Sequence, residues 1–318
     1  MKFILISPSD STTGGIESMH QFGRAIKDLG LQCEVFYVGK TNKAQEYFSF
    51  YGLDKSKSID DKENNIVIFP EIYTNIIHKI KKSKVGIFWL SIDNYLYRKR
   101  DSFLKDKFNE IRSLIGGRIP TFRMKNYIHL AQSQYAKNFL KTKGLKSFLI
   151  EDYINEDFLK SAIDIDLSLK KPVITYNPSK GKKYMDLFKK LFPEINMIPL
   201  VGMTRVEMIK CLKESMVYLD LGQHPGRDRI PREAAVQGCV VMTSKFGSAE
   251  NSLDVAIDEF YKTNTSYNDI LKLGPKVHEI FKSFSEHLEN QAKYRRIIMN
   301  DKDRVQLNVK KFIDNFSF

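Results

Sequence analysis

Residues 2–38 read KFILISPSDSTTGGIESMHQFGRAIKDLGLQCEVFYV, and three patterns follow one another within them. Phe3, Ile4, Leu5 and Ile6 form a short unbroken apolar run, as in a strand buried on both faces. The polar loop 7–15 comes next. Ile16, Met19, Phe22, Ala25, Ile26 and Leu29 then recur at helical spacing on one face, and Gly30 closes the stretch. A second strand-like run at 34–38 completes a strand–loop–helix–strand unit of the length a parallel crossover requires. Apolar runs at 66–69, 85–90, 128–131 and 148–150 continue the pattern, with helical segments between most of them. The charged stretch 54–65 reads as a surface loop.

A second rhythm begins after Asp166. Its strand candidates are 173–176, 197–201, 217–220, 240–243 and 257–261, separated by helical segments. Thr204 and Glu207 fit a capping box, in which hydroxyl and carboxylate satisfy free backbone N–H groups at a helix start. From 276 to 318 the chain reads as helical, almost without Gly or Pro. The expected architecture is α/β, with two doubly wound halves joined near 161–171: one domain over 1–165, a second over 166–290, and a helical tail over 291–318. In open α/β folds ligands bind outside the carboxyl ends of the strands, so two such halves predict a cleft between them.

The chain has 318 residues, 42% hydrophobic and 12% aromatic, enough apolar surface for two cores and too much for a disordered chain. Its net charge of +13 is local. Residues 79–146 hold 17 Lys/Arg against 4 Asp/Glu, whereas the other 250 residues hold 34 of each sign. Such a patch points to one face with an anionic partner rather than to a nucleic-acid coat over the whole chain. Cys33, Cys211 and Cys239 lie far apart in apolar runs and read as buried reduced thiols. Neither a secretory leader pattern nor a membrane-length apolar run is visible, so a cytoplasmic protein is expected.

Three loops carry candidate chemistry. In STTGGIE (11–17), two glycines between a strand and a helix let the backbone approach a ligand, and the helix start offers N–H groups to an anion. The spacing fits neither a dinucleotide fingerprint nor a P-loop, and a plain tight turn is the alternative. In YNPSKGKK (176–183), a Lys beside a Gly at a strand end can reach phosphate as a point charge; a solvated turn reads almost as well. The densest loop lies in DLGQHPGRDRIPREAAVQGCVV (220–241), where His224, Arg227, Asp228 and Arg229 crowd a Gly- and Pro-rich segment between a strand and a short helix carrying Glu233; a surface loop with salt bridges is the alternative, weighed lower because the segment sits at a strand's carboxyl end.

With these residues in view, the chain resembles the retaining family 4 glycosyltransferases of the GT-B fold, which use nucleotide-sugar donors. Gly14-Gly15-Ile16-Glu17 is similar to the family's first-loop Gly-Gly-x-Glu, and Lys180-Gly181 to the Lys-Gly of its diphosphate loop. Gly202-Met203-Thr204 resembles the loop beside the nucleobase. The segment from Pro225 to Glu233 resembles the Glu–seven residues–Glu motif, and 247–251 the later Gly-Gly-x-x-Glu. Segments 133–140 and 152–158 resemble the approach to the interdomain linker. Two departures stand out: Pro225 replaces the first Glu of the pair, with His224 beside it, and the diphosphate loop lacks its Arg.

The resemblance implies two Rossmann-like domains facing across a cleft, with the tail packing back toward the first. It implies sugar transfer, with retention of configuration, from a nucleotide sugar to a glycan or lipid-linked acceptor in bacterial surface polysaccharide synthesis. Gly14, Gly15, Lys180, Arg227 and Arg229 would hold the diphosphate; Gly226, Asp228 and Glu233 the sugar and ribose; Gly202, Met203 and Thr204 the base. His224 and Asp93 are the catalytic candidates. Asp93, after the strand ending Trp89-Leu90, would orient or deprotonate an acceptor hydroxyl; a helix cap for the residues that follow is the alternative. Departing charge would be stabilised by the loops without a metal or other cofactor; the Asp-x-Asp of Asp164-Ile165-Asp166 falls in the expected linker.

The basic segment mixes Phe103, Leu104, Phe108, Ile111, Leu114 and Ile115 with cations. Arg98, Arg100, Arg118 and Arg123 are its candidate acceptor or membrane-surface residues, suited to an anionic glycan or the inner face of the plasma membrane. A helix on the core with a solvated basic face is equally compatible. A nucleotide-sugar epimerase and a non-catalytic sugar- or nucleic-acid-binding protein are the rival readings. The aromatics here read as apolar anchors rather than a stacking platform, so no nucleic-acid partner is expected.

Overall fold

A computed structural model of the chain describes residues 1–96, 117–163 and 165–315. Arg98, Arg100, the pattern over 103–115 and Asp164 lie outside the described residues. The chain forms two units: Met1–Tyr153 with Pro225–Arg227 and Asp301–Phe318, and Ile154–His224 with Asp228–Asn300.

The first unit is built on β1 (Lys2–Pro8), β2 (Gln32–Val38), β3 (Asp54–Lys55), β4 (Asn65–Pro70), β5 (Lys84–Trp89), β6 (Ile128–Ala131) and β7 (Phe148–Leu149). They lie in the order β3-β2-β1-β4-β5-β6-β7, every pair parallel. Side chains alternate across a strand, so β1 feeds two cores. Phe3 and Leu5 pack with Met19, Phe22 and Phe312, while Ile4 and Ile6 pack with Trp89, Ile92 and Tyr95. The helix Gly14–Asp28 buries five of its six expected apolar positions, and Leu29 beyond its end is exposed. The last helix, Asp301–Asp314, seats Phe312 between Phe3 (6.3 Å), Phe22 (5.9 Å) and Phe148 (5.1 Å). Full burial of such a ring contributes about 2–3 kcal/mol. The stretch 54–65 is not wholly loop: Asp54 and Lys55 pair with Glu34 and Val35, because an edge strand tolerates charge.

The second unit holds β8 (Lys171–Tyr176), β9 (Met197–Pro199), β10 (Ser215–Asp220), β11 (Val240–Ser244) and β12 (Lys262–Thr263) in the order β12-β11-β10-β8-β9, again all parallel. Helices Lys182–Leu191, Arg205–Glu214 and Arg229–Val236 follow β8, β9 and β10. The strand expected at 257–261 is displaced to 262–263. The Asp258 carboxylate accepts from Phe260 N at 2.8 Å and starts a 3-10 turn over Glu259–Tyr261, which uses the backbone groups a strand needs. Since β12 is so short, Val241 is paired instead by the buried amide of Gln291, which accepts from its N–H and donates to its C=O, both at 2.9 Å. Cys33 and Cys239 are buried and Cys211 half-buried, all as free thiols.

Each sheet has a topological switch point, between β1 and β4 in the first unit and between β8 and β10 in the second. Loops leaving the carboxyl ends there part in opposite directions and leave a crevice where ligands bind in doubly wound sheets.

Candidate functional site

At the switch point of the second unit, the loop after β8 is a tight turn. Asn177 Oδ1 accepts from Ser179 N (3.0 Å) and Ser179 Oγ (2.7 Å), and Gly181 (φ +56°) begins the helix Lys182–Leu191. A Cβ on Gly181 would stand 2.6 Å from the Leu221 carbonyl carbon and oxygen and 2.7 Å from Gly222 N. The loops after β8 and β10 therefore meet backbone to backbone, and only glycine fits. The loop after β11 joins them: Ser244 Oγ donates to Gly222 O (2.5 Å), and Ser248 N to His224 O (2.9 Å).

These loops hold a line of charged groups. Lys180 Nζ donates to Asp228 Oδ2. His224 Nδ1 lies 2.8 Å from the same oxygen, and its Nε2 lies 3.8 Å from Asp220 Oδ1. Asp220 accepts from Gly222 N (2.9 Å) and from Tyr218 Oη (3.2 Å). Burial pushes the Asp228 carboxyl up, but Lys180 and His224 outweigh it and hold it well below the usual carboxylate range. Tyr218, buried beside Asp220, is pushed well above an ordinary phenol. Asp228 sits at the N-cap of Arg229–Val236, with half-buried Arg229 at the first helical position and Glu233 buried further along. Buried Arg232 donates from Nε to Asp228 O (3.1 Å).

After β9, Gly202 takes a left-handed conformation (φ +69°) and Met203 leads to Thr204. Thr204 caps Arg205–Glu214 with the expected box: its N–H donates to Glu207 Oε2 at 2.7 Å, and Glu207 N to Thr204 Oγ1 at 3.3 Å. Thus Lys180, His224, Asp228 and Glu233 share the loops and helix of the β8–β10 crevice, while 202–204 rim the next strand along.

At the switch point of the first unit, Gly14 and Gly15 form the first turn of their helix, after an extended Thr13 that makes no side-chain cap. The N–H groups of a first turn have no partner within the helix. Ser18 Oγ donates to Gly14 O (3.0 Å), and Gln132 Nε2 to Ser18 Oγ (2.8 Å), which fixes this turn from below. Glu17 accepts from Tyr51 Oη at 2.8 Å. After β4 stands Glu71, which the sequence reading passed over. It is buried and accepts from Leu90 N at 3.0 Å. Burial raises its carboxyl to about 7, against the lowering effect of that bond and of Arg118. The available signal was position: a carboxylate following a strand at a switch point.

Asp93 lies in the turn Ile92–Tyr95, buried, and accepts from Tyr135 Oη at 3.0 Å. The cap of this turn is Ser91, whose hydroxyl accepts from Asn94 N, so the helix-cap alternative for Asp93 is wrong. The Pro225–Arg227 segment belongs to this unit. A Cβ on Gly226 would stand 2.3 Å from Leu90 O and 3.0 Å from Gln132 Oε1, so the glycine serves a close backbone approach. Arg227 is buried in carboxylates: Nη2 donates to Asp301 Oδ1 (2.9 Å), Nη1 to Asp152 O (2.5 Å), and Nε lies 3.7 Å from Glu151 Oε1. Arg304 braces the same cluster, 2.9 Å from Glu151 Oε2. Arg227 is therefore matched within the first unit.

The surface assignment of Arg118 is corrected: it is buried, donates from Nη1 to Asn94 O and lies over the Tyr95 ring at 6.0 Å. Arg123 is exposed, 5.8 Å from the ring of exposed Phe122. Among the described residues there is no cluster of His, Cys, Asp and Glu that could hold a metal, and no helix is long and apolar enough to cross a membrane.

No protein-family model matches the sequence, and no curated protein matches it. Solved structures do match along nearly the whole chain. A glycosyltransferase from Rickettsia africae is 12% identical, with 99% of this chain and 97% of that one covered and a TM-score of 0.62. Anabaena HepE in complex with UDP-glucose is 10% identical over 99% and 100% of the two chains, with a TM-score of 0.70. Sucrose-phosphate synthase from Thermosynechococcus elongatus is 10% identical over 99% of each chain, with a TM-score of 0.65. The fold is GT-B. Within GT-B, the two parallel sheets of seven and five strands are the two Rossmann-like halves.

Proposed function

We propose that the chain transfers a sugar from a nucleoside diphosphate sugar to an acceptor hydroxyl. The observation that carries this reading is the β8–β10 crevice. Two loops that meet at Gly181 and Gly222 there present Lys180, which meets Asp228 at the start of the helix that carries buried Glu233. A fixed cation at such a crevice suits a departing diphosphate, whose charge grows as the sugar leaves. Fixed donors that do not reorganise stabilise that charge most efficiently. The GT-B neighbours support the reading, since HepE is known as complexes with UDP, with UDP-glucose and with UDP and glucose.

In this reading Lys180 meets the diphosphate with Arg229, Glu233 accepts from the ribose hydroxyls, and the 202–204 loop borders the base. The N–H groups of Gly14 and Gly15 are a second set of donors for anionic oxygens. Asp93, oriented by Tyr135, aligns the acceptor hydroxyl. His224 supports Asp228, and no metal is required. The finer expectations are retention of configuration and a glycan or lipid-linked acceptor of bacterial surface polysaccharide synthesis at the cytoplasmic face of the membrane. The exposed Phe122–Arg123 pair suits an anionic surface.

A thermal-shift screen of UDP-, GDP-, CDP- and dTDP-sugars tests the proposal. A ligand at a hundred times its Kd stabilises the folded state by about 2.7 kcal/mol, so one nucleotide is expected to raise the melting temperature. Lys180→Ala and Glu233→Ala should lose most of that rise. Equal shifts in wild type and both variants, or no shift with any nucleotide sugar, would overturn it.

A further inference from the structure

Asp228 is placed where an incoming anion would be placed. Its Oδ2 accepts from Lys180 and faces His224 Nδ1 at 2.8 Å. The carboxylate sits at the N-cap of Arg229–Val236 but makes no side-chain bond to that helix's N–H groups. An N-cap Asp normally uses its oxygen on the second or third N–H of the helix. Here the side chain turns away from its own helix to meet the lysine of the neighbouring loop. The lysine and the aspartate are each about one-fifth exposed, so the pair lies at the mouth of the crevice and is open to displacement.

We propose that Asp228 is an internal counter-anion that occupies Lys180 in the ligand-free protein and is displaced from it by the diphosphate of the donor. The proposal rests on the donor-binding reading above. The carboxylate stabilises Lys180 in a ready position without a ligand, and it competes with every anion that approaches. On displacement Asp228 keeps His224, which is buried and flanked on its other side by Asp220. Its charge is therefore not left without a partner when Lys180 changes hands. This arrangement makes affinity for a weakly held anion lower than Lys180 alone would give, and it favours a ligand that brings more than one anionic oxygen.

The predicted signature is a gain of affinity. Isothermal titration of UDP into wild type, Asp228→Asn, Lys180→Ala and the double variant tests it. Asp228→Asn is expected to bind UDP about fivefold more tightly, equivalent to about 1 kcal/mol, and Lys180→Ala about tenfold more weakly. In the Lys180→Ala background, Asp228→Asn should gain less than twofold. Asn keeps N-cap competence, and Asp228→Ser, which also caps, is a second variant should the first melt at lower temperature. Unchanged or weaker binding by both Asp228 variants, with wild type binding normally, would overturn the inference and leave the donor reading intact. An equal gain in both backgrounds would reduce it to a general charge effect and overturn it likewise. If UDP does not bind, the same titration is run with GDP, CDP and dTDP, and absence of binding by all four in wild type and Asp228→Asn alike would overturn both.

Discussion

Replacing Gly181 by alanine tests whether the loops after β8 and β10 are locked as described. The residue has φ +56°, a left-handed conformation that costs a non-glycine residue about 1–2 kcal/mol. The added Cβ would also stand 2.6 Å from the Leu221 carbonyl and 2.7 Å from Gly222 N, both backbone atoms that no rotamer change can move. Overpacking of that kind costs about 1–3 kcal/mol, giving a total near 2–5 kcal/mol. Gly202 supplies the control: its φ is +69° but nothing lies within 4 Å of an added Cβ, so Gly202→Ala should lose only the conformational 1–2 kcal/mol. Urea denaturation followed by circular dichroism measures both losses. If Lys180 holds the diphosphate as proposed, the Gly181 variant should also bind the nucleotide found in the thermal-shift screen more weakly, because Lys180 moves with the strained turn, while the Gly202 variant should bind it as wild type does. Equal stability losses in the two variants would refute the backbone-to-backbone packing of these loops.

Glu71 predicts a pH dependence. Its folded pKa of about 7 lies above the ordinary 4.5, so between those values the folded protein holds a proton the unfolded chain has lost. Stability from this group must then fall as pH rises from 4.5 to 7, by about 3 kcal/mol in all. Glu71→Gln keeps an acceptor for Leu90 N and should flatten that slope, which melting curves across this range would reveal. Arg227→Met should cost about 3–5 kcal/mol, because Glu151, Asp152 and Asp301 lose the cation they surround; a loss under 1 kcal/mol would contradict the network. Asp93→Asn should lower turnover tenfold or more with UDP affinity unchanged, measured as release of nucleoside diphosphate in the presence of acceptor.

The sheets were legible because buried parallel strands leave unbroken apolar runs, and Phe3 to Ile6 or Val240 to Thr243 look the same in sequence as in the fold. The run at 257–261 misled because Asp258 can start a turn as readily as it can precede a strand, and only its bond to Phe260 N decides between them. β3 was hidden because Asp54 and Lys55 carry charge where the period expects apolar residues. The helix starts that rest on local bonds were readable, as Thr204 and Glu207 show. Charged residues whose partners lie far along the chain were not. Arg227 meets Asp152 and Asp301 at sequence separations of 75 and 74, and Arg118 reaches Asn94 at 24. Nothing near them distinguishes a buried ion cluster from a phosphate-binding loop or a basic surface. Glu71 was missed for the same reason, since its character comes from burial against Leu90.

The proposed nucleoside diphosphate site lies at the carboxyl ends of β8 and β10. A crystal structure with UDP measures this directly. Diphosphate oxygens are expected within hydrogen-bond distance of Lys180 Nζ, with Asp228 turned from the lysine, and ribose hydroxyls on Glu233. UDP bound away from Lys180 and Glu233, with the Lys180–Asp228 pair intact, would contradict it.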